Sequence, residues 1–536
     1  MKRLYAPEPF RGRFFAFFLV LATPIVRLLL RSHYEPWRPE VAAILGLIAL
    51  PCLLLAWISR RIWVFFGLLL GLITVFSASS VQIDLLPGVR WRYVALLLAV
   101  ALGAAIAVFR RRFQLLLIVW IGGMILVDVA KWAVKGAEGR AATRAAVTSG
   151  PSPGHVVYLI FDEQIGLAGF PTDIPECREA KHAFEEVLAR HNFRVYPGAF
   201  SNYRRSWNSI PSILNDRLAR ENLEQMRPAG PKQTLVENAL FESHAKAGYD
   251  LAIYYSDYLK FSSPRYRYRI DESYDSNDLS ALLVAPCDWR IRMRQILWRH
   301  IQSDWLIGSL IEDALSLQAG DGMWSVGPLA VRRVWPARIL EDIRRAPRPT
   351  MFFAHLLHPH HPYVYDRTGV VQPPATWMRI AVLDPKPRET YIRQCRAYAE
   401  QSMFLAHQLD WFLSAMRDAG VLDSATVIIH GDHGSRLRLL TTAGSSGSRA
   451  VAGGMNPGDG PAEAELRDLL SRYSTLLAIK PAGASRPETN GTKGSVLYHL
   501  RRFRRPGAAE EPGVNSVFLF DENGSKHEIP ILKYWK

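Results

Sequence analysis

Asp162 and Glu163 stand side by side directly after an apolar run, a costly place for two acids unless a cation meets them. Three more polar clusters follow along the chain. Ser206, Ser209 and Ser212 come just after Arg204 and Arg205; His355, His358, His360 and His361 crowd into seven residues; and Asp432-His433-Gly434 closes the series. Carboxylates, imidazoles and a hydroxyl brought to one place suit a hard or borderline divalent metal with oxygen and nitrogen ligands. Such a metal lowers the pKa of a coordinated Ser hydroxyl and polarises a phosphoryl or sulfuryl oxygen. Neighbouring Arg and His donors then neutralise the charge that develops. Each cluster alone has a plainer reading: a solvated turn, a helix cap, an exposed His-rich loop, a pair of surface arginines. Their shared position in the chain's pattern is what joins them.

That pattern is a series of short β-rich runs alternating with helical stretches, which specifies a mostly parallel sheet covered by helices, an α/β fold. Strands are expected at 155–161, 249–255, 350–355, 425–430 and 473–479, and helices at 177–191 and 388–419, the latter stopped by Gly420. In an open α/β sheet, sites form beyond the C-terminal ends of strands. Asp162, the His355 cluster and Asp432 all fall there. Residues 279–317, rich in Trp and Arg, read as inserted helices. Residues 443–464, Gly/Ser-rich and without Leu or Ile, read as a flexible loop, and 517–520 with 528–532 as a closing hairpin.

The N-terminal quarter is different material. The chain has 536 residues, 49% of them hydrophobic and 21% charged, which excludes a disordered or collagen-like protein and a small disulfide scaffold. Its net charge is +16, yet residues 1–133 hold fifteen Lys/Arg against five Asp/Glu and so account for +10. Basic residues punctuating apolar blocks indicate a membrane domain rather than a nucleic-acid partner. Spans are expected at 41–58, 64–83, 93–109 and 113–132, with a weaker first span at 14–30. Nine basic residues (Lys2, Arg3, Arg11, Arg13, Arg60, Arg61 and Arg110 to Arg112) flank one side against four on the other, placing the N-terminus inside. Five crossings leave the rest of the chain outside as an uncleaved, multi-pass anchor's exported domain. Asp128, near the outer end of the last span, is expected to pair with Lys131 at the interface. The expected division is therefore 1–133 membrane domain, 134–154 connector and 155–536 catalytic domain. Of the four cysteines, Cys177, Cys287 and Cys395 are outside and can form at most one bridge.

The order of the motifs carries a resemblance. Residues 156–163 (VVYLIFDE), 206–212 (SWNSIPS), 355–363 (HLLHPHHPY) and 427–434 (VIIHGDHG) resemble the alkaline phosphatase and sulfatase superfamily, over about 155–480. The resemblance is to its membrane-anchored bacterial branch, which includes phosphoethanolamine transferases and lipoteichoic acid synthases. It implies Asp162, Glu163, Asp432 and His433 as metal ligands, and Ser206, five residues before Pro211, as nucleophile and further ligand. His360, and at the strand end His355, match substrate-side histidines; Arg204, Arg205 and Arg436 are candidates for gripping the anion. The implied cofactor is a divalent metal, zinc or manganese/magnesium for a transferase and calcium for a sulfatase.

Two departures narrow the expectation. A formylglycine sulfatase needs Cys or Ser with Pro or Ala two residues on and Arg four residues on. Counted from Ser206 those places hold Asn208 and Ile210, and from Ser209 they hold Pro211 and Ile213. A direct Ser alkoxide is therefore expected. After Asp-His-Gly the transferases tend to carry Glu and then another His; here Ser435, Arg436 and Leu437 follow and no His occurs again until His499, so a second zinc is not expected. The resulting expectation is a transferase of the inner (plasma) membrane, its catalytic domain on the periplasmic side. It would take a phosphate-linked head group from a phospholipid donor and pass it through a phospho-Ser intermediate to an envelope glycan or lipid. The alternatives are a sulfatase-like hydrolase of envelope polysaccharide and a non-catalytic envelope scaffold.

Overall fold

The computed structural model describes residues 10–31, 34–58, 154–229, 232–255, 268–275, 331–372, 388–435, 469–507, 510–520 and 525–533, with shorter pieces between them. It divides into two compact units. One comprises Met1–Ala145 with Asp278–Gly320, the other Ala146–Asn277 with Asp321–Lys536. The 279–317 segment thus groups with the N-terminal residues.

In the first unit, α1 (Phe10–Arg31) and α2 (Pro39–Ile58) are helices. Within α2, Pro39–Trp57 is long and apolar enough to cross a membrane, with mean hydropathy 2.2. The expected spans at 64–83 and 93–109 lie outside the described residues. Asp128 is 5% exposed and its carboxylate meets Arg27 of α1 at 2.7 Å; Lys131, its expected partner, lies outside the described residues. A buried acid needs a close cation, and Arg27 satisfies it.

The second unit is the expected α/β fold. Its eight-stranded sheet is built from β1 (Val156–Phe161), β2 (Arg194–Val195), β3 (Asp250–Tyr255), β4 (Glu272–Asp275), β5 (Thr350–Leu356), β6 (Thr426–Gly431), β7 (Leu477–Lys480) and β8 (Glu488–Thr489). Their order is β8-β2-β7-β6-β1-β5-β3-β4. Pairing is parallel from β4 through β6, and β7 alone runs against the rest. β7 also begins at Leu477, later than the expected 473.

Both faces of the sheet are covered, as a continuous apolar strand such as β1 requires. Val157, Leu159 and Phe161 face α3 (Pro175–Arg190), α6 (Val331–Arg345) and α7 (Arg388–Asp418), packing with Phe184, Ile339, Leu409 and Phe412. Val156, Tyr158 and Ile160 face the other way, onto Ile210 and Ile213 of α4 (Ser206–Leu214), Phe241 of α5 (Ala239–Lys246) and Leu500 of α8 (Val496–Arg504). Gly420, which ends the long helix, has φ +70°, where glycine carries no Cβ penalty. Cys177 and Cys395 are free thiols in the core between α3 and α7. Cys287, the 443–464 loop and most of 279–317 lie outside the described residues. The closing hairpin pairs Val517–Phe520 with Lys526–Ile529.

Candidate metal centre

Strand register alone brings the acids together. β1 lies between β5 and β6, with Phe161 level with both Leu356 and Gly431. The residues that follow, Asp162 and Asp432, therefore leave neighbouring strands at the same height, about 4.8 Å apart by strand spacing. Both are fully buried, as are Glu163 and His433. One ligand atom each from Asp162, Glu163 and His433 lie within 4.8 Å of one another.

Each ligand is tethered by one atom and presents another. Asp432 Oδ1 accepts from the Glu163 and His433 amides at 3.0 and 2.8 Å, leaving Oδ2 beside His433 Nε2 at 3.4 Å. Asp162 Oδ2 lies 3.1 Å from His355 Nε2, leaving Oδ1. His433 Nδ1 lies 2.6 Å from the Gly434 carbonyl, which fixes the proton there and the lone pair on Nε2. Asp162 Oδ1, Asp432 Oδ2 and His433 Nε2 are buried and have no hydrogen-bond partner among the described residues. Burial, then the charge of Asp432, push the Asp162 carboxyl above its ordinary value. Three buried carboxylates with converging lone pairs are unstable as they stand; a divalent cation with oxygen and nitrogen preference fits them.

The surrounding chain is folded closely onto this point. Glu163 has φ +63°, a conformation costly for a non-glycine residue and concentrated at functional sites. Tyr398 of α7 holds the turn, donating to the Glu163 carbonyl and accepting from the Ile165 amide, both at 2.9 Å. A Cβ at Gly434 would stand 2.1 Å from Ser471 O, so only glycine lets the 471–472 backbone approach.

Ser206 is the first residue of α4 and is buried. One turn later Ser209 Oγ donates to the Asp432 carbonyl at 2.5 Å and meets Ser201 Oγ at 2.9 Å. Residues three apart share a helix face, so the face carrying Ser206 is the one turned to the β6 end, with the helix's positive pole behind it.

The other candidates are placed as follows. His355 is fully buried behind Asp162, where it orients the carboxylate rather than reaching outward. His360 and His361 stand at Glu163, with His360 Nε2 3.5 Å from Oε1 and His361 Nδ1 3.3 Å from Oε2. His358 is buried against the Gln401 carbonyl. Arg205 precedes α4 with its guanidinium over the Trp207 ring at 5.1 Å, and Arg204 is half-buried beside it in sequence. Arg436 lies outside the described residues. Sequence reasoning left out Tyr398 and Gln401, whose helical surroundings give no hint of a loop to be held.

A protein-family model for sulfatases matches residues 155–474. The chain belongs to the sulfatase family. Comparison with curated proteins finds no match. Solved structures that align with this sulfatase-family chain include the C-terminal periplasmic domain of EcEptC from Escherichia coli in complex with Zn. That domain is 12% identical, with a TM-score of 0.38, and the match covers 71% of this chain and 87% of that one. A phosphonate monoester hydrolase of Agrobacterium radiobacter is 13% identical, TM-score 0.40, covering 69% and 82%. A Bacteroides thetaiotaomicron protein of glycosaminoglycan metabolism (BT33494S-sulf) is 14% identical, TM-score 0.40, covering 70% and 83%. As a sulfatase-family member the protein is an enzyme of metal-dependent phospho- or sulfo-ester chemistry.

Proposed function

We propose that this sulfatase-family enzyme is a membrane-bound transferase that moves a phosphate-linked head group, of phosphoethanolamine or phosphoglycerol type, from a phospholipid to an envelope glycan or lipid. The observation that carries the reading is the pairing of a cation-demanding cluster with a buried serine opening α4. Asp162, Glu163, Asp432 and His433 would hold the metal, zinc or manganese/magnesium, and Ser206 would complete the set. When bound, it supplies positive charge that favours the Ser206 alkoxide and polarises the phosphoryl oxygen.

Ser206 Oγ attacks phosphorus and the diacylglycerol oxygen leaves with the bonding pair, taking up a proton. The acceptor hydroxyl then attacks the phospho-Ser, loses its proton and returns the Ser206 oxygen. Asp432 Oδ1, held by two backbone amides, keeps the acidic wall fixed through both steps. Arg204, Arg205 and the histidines beside Glu163 are the donors available to the anion. The apolar helix Pro39–Trp57 supports a lipid donor, since an ester in solution needs no such anchor. The same helix and the basic residues of the first 133 support a multi-pass inner-membrane placement with the second unit on the periplasmic side.

The test is mass spectrometry of the purified protein after incubation with vesicles of phosphatidylethanolamine or phosphatidylglycerol. A head-group adduct on Ser206, absent in Ser206→Ala, is the expected result. Formylglycine at position 206 or 209 would instead establish the sulfatase-like hydrolase. A host whose envelope changes on deletion but not with Ser206→Ala or Asp432→Ala would establish a scaffold.

A further inference from the structure

In chain order the segment 279–317 stands between β4 and α6 of the second unit, yet it groups with the first. A buried ion pair ties it there. Glu40, in the first turn of α2, is fully buried, and its Oε1 accepts from Arg292 Nε at 2.8 Å and from the Tyr34 hydroxyl. We propose that Trp289, Arg290 and Trp37 form a lipid-facing platform at the outer membrane surface, locked to the start of α2 by the Glu40–Arg292 pair, and that its occupant is the head-group layer of an anionic phospholipid. This rests on the membrane reading of α2 and is independent of the transferase chemistry.

The pair fixes the depth of the segment. Tyr34 and Glu40 sit at one end of a helix long and apolar enough to cross a membrane, which is the level of the lipid head groups. A carboxylate removed from water needs its cation at hydrogen-bond distance, and breaking such a pair leaves an uncompensated buried charge. Arg292 is therefore held at the same level as Glu40. The residues around it are sorted by helical spacing. Ile296 is buried and Met293 and Leu297 are half-buried, so 292, 293, 296 and 297 make the inward face of a helical stretch. Trp289, at its start, is 36% exposed, and the exposed Arg290 lays its guanidinium over the indole, 5.5 Å from the ring centroid. Trp37, three residues before Glu40, is 68% exposed.

Two exposed indoles and an arginine beside the end of an apolar helix are the residue types that a membrane interface selects. Tryptophan settles at the head-group level with its ring in the apolar boundary. Arginine grips phosphate through a planar fork of donors. The sequence adds charge: between Asp288 and Asp304 there are four arginines (Arg290, Arg292, Arg294 and Arg299) and no Asp or Glu. Glu40 neutralises Arg292, and the remaining excess favours an anionic lipid over a zwitterionic one. At the corner itself Glu35 is matched by Arg38 at 2.7 Å, so it does not oppose that preference.

The experiment is photo-crosslinking of the full-length protein in vesicles of phosphatidylcholine and phosphatidylglycerol in equal amounts, read by mass spectrometry. The photoreactive residue p-benzoyl-phenylalanine replaces Trp289 in one form and Leu50, an exposed residue of α2, in another. Phospholipid adducts are expected at both positions. At 289 phosphatidylglycerol should be captured in excess over phosphatidylcholine, and Arg290→Ala should reduce that excess by about fivefold, the effect of one arginine near an anionic surface. Glu40→Gln should lose the adduct at 289 and keep the one at 50, which also shows that the variant is inserted; Arg292→Lys, which keeps the charge, should retain part of the adduct at 289. Lipid at 50 with only peptide adducts at 289 overturns the platform and leaves the membrane reading standing. No lipid at either position overturns both. Equal capture of the two lipids at 289 overturns the choice of occupant, and an undiminished 289 adduct in Glu40→Gln overturns the lock.

Discussion

Asp432 divides its two oxygens between two tasks, and the division makes its substitution informative. Oδ1 ties β1 to β6 through the Glu163 amide, while Oδ2 is buried without a hydrogen-bond partner among the described residues, 3.4 Å from His433 Nε2. Asp432→Asn keeps a carbonyl oxygen for the amides and removes one of three crowded negative charges. Metal-free Asp432→Asn is therefore expected to melt at a higher temperature than metal-free wild type. The wild type should gain about 2.7 kcal/mol from metal at about 100-fold over its Kd, and the variant should gain far less; differential scanning fluorimetry with and without metal reads both. Two further buried histidines contribute to the acid side of stability. His430, against Tyr158 OH at 2.9 Å, and His499, against the Tyr196 ring, are held neutral by burial, with pKa values lowered to about 4. In the unfolded chain they take up a proton near 6.5, so between about 4 and 6.5 the unfolded state binds more protons and stability rises with pH. The contribution is complete above about 6.5 and lost as pH falls to about 4. His499→Phe should flatten the rise in melting temperature over that window, measured against wild type at matched pH. An unchanged slope would mean that His499 is not buried neutral.

At the level of elements, the centre depends on three loops packed too closely for side chains. Gly431 would place a Cβ 2.2 Å from Thr475 Oγ1, and Gly434 one 2.1 Å from Ser471 O and 2.6 Å from the Arg472 carbonyl carbon. The obstruction at Gly434 is backbone, which cannot rotate away. Gly434→Ala is expected to cost about 1–3 kcal/mol as overpacking and to weaken metal binding, since His433 must shift with it. Gly491→Ala, with nothing within 4 Å, is the control and should leave the melting temperature unchanged. The same packing explains how far the elements could be read from sequence. The runs of β1, β5 and β6 are buried on both sides and flanked by polar residues, so their strands and their functional ends were legible. β7 was legible as a strand but not in direction, because a buried apolar run reads alike both ways. Its first expected residues, 473–476, belong to the site's wall instead: the Ser201 amide bonds to the Tyr473 carbonyl, and the Gly431 amide to that of Leu476. His355 shows the limit at single residues. Its place at a strand end is visible in sequence, but whether a side chain there points outward or behind a neighbour depends on the pleat and on the next strand.

Over the whole molecule, the uneven charge becomes a question of topology. The second unit's site is itself anionic, so the basic excess of the first 133 residues does not serve the metal cluster directly. Of the spans expected there, α2 has the length and apolarity to cross a membrane, and α1 carries Arg27, matched by Asp128. Such a pair was hidden from sequence reasoning because its members are about a hundred residues apart. With that charge balanced, α1 can lie in an apolar environment, as the proposed topology requires. Orientation then rests on clusters near the ends of spans, where Lys and Arg weigh most. Reporter fusions after residue 61 are accordingly expected to be active only in the cytoplasm, and fusions after residue 145 only outside it. Replacing Arg110, Arg111 and Arg112 by Ser takes three of the nine inside charges, leaving six against four. The 145 fusion should then appear partly on the cytoplasmic side, and envelope modification by the full-length variant should fall in proportion, because the metal centre follows the last span. A 145 fusion that is cytoplasmic in the wild type would reverse the orientation, and with it the access of Ser206 to any envelope acceptor.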